Sequence, residues 1–449
     1  MSNESMKKFG YKQELKRALS VRDMAIYGLI FMVPIAPFGV FGHVLSDAKG
    51  MISLAYLIGM VAMIFTALSY KRLSEEFPIA GSVYSYAQRS IHPAIGFFTG
   101  WAMLLDYVLI PALLYVVAAV ALNGILPGVP IVVWIMLFII INTVINIRGI
   151  EFTVKANLVM LIAEIIVLAV FIVFGVIALA NGAGNGFTLK PFYNPEHFSM
   201  SFVMGAVSLA VLSFLGFDGI STLAEEAKDG VKSVGKACLI SLFIVGVLFI
   251  GQTYIAACIW PDFTGFANLD TAFHDVAELA GGPILSKTTM IATVISWGIA
   301  NALAAQAAVS RIIYSMSRDK FLPPILAKVH PKYKTPYMST LAIAVVSLIV
   351  GLLFRNGLEQ LSILVNFGAM TAFLVLHVSV VNHFLIRGGS RRYFKHLVLP
   401  GVGFAIIAYV WVSFSPLAYV VGFSWIALGI IYYFVMRAVR GEVKLGDDI

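Results

Sequence analysis

Charge is what this sequence has least of. Asp, Glu, Lys and Arg together make up only 12% of its 449 residues, while 60% are hydrophobic. A soluble domain carries about a quarter charged residues, so this composition excludes one of comparable length. Cysteine is nearly missing. The two present, Cys238 and Cys258, fall in one apolar segment, which argues against a disulfide framework and against a cysteine metal site. The motifs of phosphate and hydrolytic chemistry are absent as well: no Gly-rich loop closing on Lys, no His-Glu-x-x-His and no Gly-x-Ser-x-Gly. An ATP-driven pump is thereby excluded for this chain, and no enzyme, cofactor or metal is expected. Ser213 lacks a histidine partner and would be a poor nucleophile. His377 and His383 stand six apart on one segment, a spacing that puts them on different helix faces.

What is abundant is apolar length. Twelve segments stand out, at 24–45, 52–70, 94–122, 130–147, 154–180, 200–224, 237–259, 287–313, 338–354, 360–386, 397–414 and 417–436. Each approaches the ~20 residues that cross a hydrocarbon core. The fold class is therefore an all-α membrane protein of twelve transmembrane helices, one permease-like domain over 1–449. The basic start, with Lys7, Lys8, Lys12, Lys16 and Arg17, has no small-residue cleavage site after it and does not read as a signal peptide. With both termini cytoplasmic, all but four of the 31 Lys and Arg lie inside. The four are Lys49, Lys190, Lys287 and Arg355, and this asymmetry predicts a multi-pass protein of the plasma (inner) membrane. The pI near 9.3 then reports topology; nucleic acid is not a predicted partner, and the lipid bilayer is. On the outer side Asp47, Glu196, Asp262, Asp270, Asp275, Glu278 and Glu359 outnumber the bases, a mouth that either draws cations or is simply solvated.

Two segments are broken in the middle. The first carries Val33-Pro34-Ile35-Ala36-Pro37, the sixth Ser213-Phe214-Leu215-Gly216-Phe217-Asp218-Gly219. A spanning helix must satisfy its own backbone in lipid, so such interruptions persist only where protein or a wet cavity takes up the freed groups. Breaks in matching places, five helices apart, point to an inverted-repeat secondary transporter. The predicted division is an N-terminal segment 1–23, repeats 24–180 and 200–386, a further pair over 397–436, and a tail 437–449.

The loops make the resemblance specific. Phe77-Pro-x-Ala80-Gly81-x-x-Tyr84-x-Tyr86, then Arg318-Asp319 with Leu322-Pro323, Pro331 and Thr335-Pro336, resemble the cytoplasmic loop motifs of amino acid–polyamine–organocation (APC) permeases. Ser213-Phe214-x-Gly216-Phe217-Asp218 with Glu225-Glu226 resembles their broken sixth helix. Tyr86-Ala87-Gln88-Arg89-Ser90-Ile91-His92-Pro93, Leu104-Leu105-Asp106-Tyr107, Val309-Ser310-Arg311 and Asn366-Phe367-Gly368-Ala369 look most like putrescine importers within that family. The likeness covers essentially the whole chain. It implies five helices repeated in inverted orientation, two more helices, and an occluded site beside broken helices 1 and 6. One departure is informative. Amino-acid members usually carry Gly-x-Gly at the first break, where backbone N–H groups receive a carboxylate; here Pro34 and Pro37 have no N–H and Ile35 adds bulk. A diamine needs no such donors.

The membrane charges are candidates with structural alternatives. A carboxylate at the depth of Asp106 costs roughly 2.5–3.5 kcal/mol on insertion scales; it is either an ammonium ligand or proton carrier, or a bond to a neighbouring helix. Asp218 is a ligand or a cap for a half-helix over 219–226. By the resemblance, Glu164 lies where some members hold a lysine between helices 1, 5 and 8, and proton coupling is its predicted role. Glu225 and Glu226 are expected to close an inner gate with Arg311 or Arg89. Phe214, Phe217, Tyr107, Tyr115 and Trp297 are candidates to cover an ammonium group, with packing as each one's alternative. Val33, Pro34, Ile35, Ala36, Ser213 and Gly216 complete the predicted site.

The resulting expectation is a secondary transporter importing a small cationic amine, putrescine first, by proton symport and alternating access. Buried carboxylates are available, whereas Asn301 to Val309 offers no Ser or Thr for a sodium site. The alternatives are a proton-coupled importer or exchanger of amino acids, and a transport-inactive nutrient sensor, against which the short end 441–449 is set.

Overall fold

The computed structural model describes residues 15–79, 81–125, 128–230, 232–269, 271–355, 358–414 and 416–440. Lys7, Lys8, Lys12, Ala80 of the first loop motif, Asp270 and the tail 441–449 lie outside these residues. Among the described residues the chain is helical without a strand; an isolated backbone bridge joins Leu19 to Ala227.

The helices are α1 (Val21–Met32), α2 (Pro37–Asp47), α3 (Ile52–Glu76), α4 (Ser82–Ser90), α5 (Pro93–Ile125), α6 (Ile131–Arg148), α7 (Ile150–Ala180) and α8 (Met200–Ala210). They continue with α9 (Ser233–Ile259), α10 (Ala272–Ile295), α11 (Ala302–Arg318), α12 (Tyr337–Leu353), α13 (Leu358–Val380), α14 (Leu399–Val412) and α15 (Pro416–Arg440). Among the described residues ten helical stretches are long and apolar enough to cross a membrane, the bent pair α1–α2 makes an eleventh, and α12 is a shorter apolar helix of 17 residues. The chain is a multi-pass membrane protein.

Both expected breaks are present, with different geometry. The first helix starts on a reciprocal cap, Ser20 Oγ accepting the Asp23 N–H at 3.2 Å and Asp23 Oδ2 accepting the Ser20 N–H at 2.9 Å. It stops at Met32. Val33 turns to φ 54°, strained for a β-branched residue, and α2 departs at 56° with Pro37 in its first turn, where a missing N–H costs nothing. In the second break α8 tightens into a 3-10 turn, Val211–Phe214, then Leu215 extends and Gly216 takes φ 117°. The half-helix beyond is a 3-10 segment from Phe217 to Glu226, starting two residues before the expected 219. Gly216 is required there, since a Cβ would also lie 2.8 Å from the Phe31 ring and carbonyl. Gly28 likewise lets α1 approach that segment: a Cβ would sit 2.3 Å from Ile220 Cδ1.

Two connecting stretches are helical in part. The stretch after Gly81, itself at φ 114°, forms α4, whose last carbonyls are capped by Asn382 (to Ser90) and Arg387 (to Arg89 and Ile91). The outer loop 260–286 ends early because α10 begins at Ala272 and passes a kink at Gly281 and Gly282.

Candidate functional site

The two breaks meet at Asp218. It is 2% exposed, its Oδ1 accepts the Gly216 N–H at 3.2 Å, and its Oδ2 accepts the hydroxyl of Tyr107 from α5. The backbone bond is the capping alternative, realised on one oxygen; the other faces across to α5. Phe31, at the end of α1, sets its ring edge-on to Tyr107 at 6.1 Å and lies over Gly219. The last carbonyls of α1 have no intrahelical partners, so a partly negative helix end accompanies a carboxylate here.

Asp106 precedes Tyr107 on α5 and is 1% exposed, with Oδ1 lacking a hydrogen-bond partner. Its chain neighbour Tyr107 makes the bond to Asp218, so Asp106 stands one residue from that contact. Gly368 explains the Asn366-Phe367-Gly368-Ala369 motif: a Cβ there would fall 3.0 Å from the Asp106 nitrogen, so α13 packs directly on this turn. Neither carboxylate forms an ion pair with a described basic residue. Two buried acids that pair with no described base, with Tyr107 on Asp218 and Phe31 against Tyr107, are chemistry suited to an ammonium group.

The other predicted site residues divide. Val33, Pro34, Ile35 and Ala36 are buried at the break. The Pro34 carbonyl accepts from Gln252 Nε2 at 2.9 Å, which ties the break to α9. Phe217 turns its ring toward Tyr70 (5.6 Å) and Phe373 (5.8 Å). Ser213 and Phe214 turn away from Asp218: Ser213 Oγ pairs with the Tyr56 hydroxyl at 3.0 Å, and Phe214 packs on Tyr56 and Phe249. Tyr115 is buried with its hydroxyl unpartnered; Trp297 covers Gly39 of α2, where a Cβ would sit 2.7 Å from the ring. Sequence reasoning missed Tyr27, Phe31, Tyr70 and Gln252. The first two share one face of α1 at i, i+4, and Gln252 is a lone amide in an apolar segment, both visible signals. Tyr27 donates to the Ala304 carbonyl at 2.5 Å, fastening α1 to α11.

At the far end of the 3-10 segment lies a charged seal. Arg311 bonds Glu226, both at most 4% exposed. Glu225 is held by Arg318, in a two-pronged contact at 2.9 and 3.1 Å. Arg318, which belongs to the second loop motif, is the last residue of α11. Tyr84 of α4 donates to Asp319 at 2.6 Å, and Ser221 bonds Ser82 at 2.7 Å. The chain before α1 lies across this seal, with the N–H groups of Ala18 and Leu19 both 3.0 Å from the Glu226 carbonyl.

Glu164 is elsewhere. It is 3% exposed on α7 and faces a cleft of about 200 Å³ between α7 and α10 rather than the Asp218 site.

Comparison with known proteins gives the family. The amino acid permease model matches residues 18–439, nearly the whole described chain. The chain belongs to the amino acid permease family. This permease is 32% identical over 445 residues to the low-affinity putrescine importer PlaP of Escherichia coli K12, covering 97% of each chain. It is 26% identical to the branched-chain amino acid permease BcaP of Bacillus subtilis over 459 residues, and 26% identical to the methylthioribose transporter of the same organism over 460, each covering 94% of both chains. It is therefore an APC superfamily transporter, the class that the loop motifs and broken segments had indicated.

Proposed function

We propose that this permease imports a small cationic amine, putrescine or a related polyamine, by proton symport across the plasma (inner) membrane. Twelve spans, with 24–180 and 200–386 as inverted repeats and both termini cytoplasmic, rock around a site at the two breaks. The observation that carries the substrate class is the pair of buried acids, Asp106 and Asp218, beside a break whose prolines offer no N–H to a carboxylate. The likeness to PlaP over 97% of both chains supports the same reading. Asp218 is the ammonium ligand, Tyr107 and Phe31 cover it, and Glu225, Glu226, Arg311 and Arg318 form the inner gate. Glu164 carries the coupled proton; the substrate itself carries the positive charge.

A second reading, transport of an amino acid, is favoured by the likeness to BcaP. Competition in liposomes separates the two. Purified protein should take up labelled putrescine, and other diamines should compete better than leucine or arginine. Saturable uptake of an amino acid that excess diamine leaves untouched would sink the amine reading and keep the fold.

A further inference from the structure

The cleft beside Glu164 is a second polar feature that substrate passage does not use. Met160, Ala163, Glu164 and Val167 of α7 line one wall; Thr288, Ile291, Ala292, Ile295 and Ser296 line the other. Its rim faces outward, since Ile291 is 49% and Ile295 40% exposed on helices that span the bilayer. Its floor is polar. Both oxygens of the Glu164 carboxylate are buried, and the buried Ser296 hydroxyl is the side-chain polar group set against them. Ser296 opens a π-helical turn, Ser296–Asn301, which swings this part of the helix out of regular register.

An orphaned buried carboxylate costs several kcal/mol unless something meets it. No described basic residue pairs with it, and the walls around it are mostly apolar. A ligand matching this shape has one hydrogen-bonding cation at its end and an aliphatic chain behind. Three N–H donors of a primary ammonium suit two carboxylate oxygens and a hydroxyl. A metal ion would demand more oxygens than this floor supplies. Glu164 stands near the middle of α7, about 21 Å along the helix from its first residue, Ile150. A phospholipid headgroup would have to drag its phosphate to mid-helix depth, whereas a single-chain amine would not.

We infer that the α7–α10 cleft binds amphipathic primary amines that enter from the bilayer, with their ammonium on Glu164 and Ser296 and their chain between Ile291, Ile295 and Val167. This site is separate from that at Asp218, and its existence does not depend on which substrate is carried.

The test is calorimetric titration of n-octylamine into the permease in phosphatidylcholine nanodiscs, with empty nanodiscs subtracted for partition. Saturable binding is expected for octylamine and none for n-octanol, which has the chain without the charge. Glu164→Gln should weaken binding at least tenfold. Because that change could also disturb folding, Ala292→Phe fills the cleft while keeping the carboxylate and should abolish binding with thermal stability retained. Asp218→Asn and excess putrescine should leave octylamine binding unchanged. Displacement by putrescine, or undiminished binding in both cleft variants, would overturn the assignment. Loss of octylamine binding in phosphatidylethanolamine nanodiscs would give the cleft to a lipid headgroup and overturn it equally.

Discussion

Asp218 holds two bonds of different meaning. The Gly216 N–H on one oxygen is a capping contact that an amide would preserve; the Tyr107 hydroxyl on the other leaves the negative charge itself uncompensated. Asp218→Asn should therefore keep the break intact and weaken amine binding about ten- to hundredfold, since hydrogen bonds to charged groups contribute roughly 1.5–3 kcal/mol. Tyr107→Phe removes a neutral donor worth about 1 kcal/mol, so its loss should be only several-fold. Equilibrium binding of labelled putrescine to each purified variant measures both. Affinity unchanged in Asp218→Asn would reduce that residue to a cap and shift the ligand role to Asp106. The Tyr107 bond was not legible in the sequence, because the partner of a buried carboxylate lies wherever another helix brings it, here 111 positions away.

At the scale of elements, the breaks were legible and their detail was not. Prolines and glycines inside apolar runs announce that a helix cannot continue, because they remove donors or relax the backbone. Whether the resumed helix is α or 3-10 depends on what crowds it, and Phe31 against Gly216 and Gly219 leaves a tight passage. The proposed gate shows the same division. Glu225 and Glu226 stood out as acids at a helix end, but Arg318 was the missed partner, since the length of α11 decides which arginine reaches them. Arg318→Glu should abolish uptake by placing like charges together in a buried seal. The exchange Arg318→Glu with Glu225→Arg should recover a measurable fraction, with folding checked by thermal melting. A folded double variant with no recovery would show that the contact is not the gate.

Across the whole molecule, coupling requires that a proton site and a substrate site respond to one motion. Glu164 and Asp218 occupy different places, one in the outward-facing cleft of α7 and α10, the other between α1, α5 and the 3-10 segment. In the proposed coupling α1 links the two, since it packs on α7 and on the π-helical turn alike. Glu164→Gln, fixed in a protonated-like form, should still exchange substrate across the membrane. It should lose concentrative uptake driven by an inward proton gradient, to which wild type responds and sodium contributes nothing. Accumulation preserved in the variant would assign the proton to Asp106 or Asp218.

Membrane class and the two breaks were determined by the sequence alone, because they follow from local rules: apolar length must match the bilayer, and a freed backbone in lipid needs a reason. The family was written in short loop motifs that need no third dimension to be read. What only the tertiary structure decided was company. It joined Asp218 to Tyr107, gave Glu225 to Arg318, turned Ser213 and Phe214 toward α3 and α9, and left Glu164 facing a cleft of its own. Each of those outcomes depends on helix rotation and crossing, set by side chains interlocking across hundreds of residues. In a chain that is hydrophobic on nearly every face, no periodicity marks which way a helix must turn.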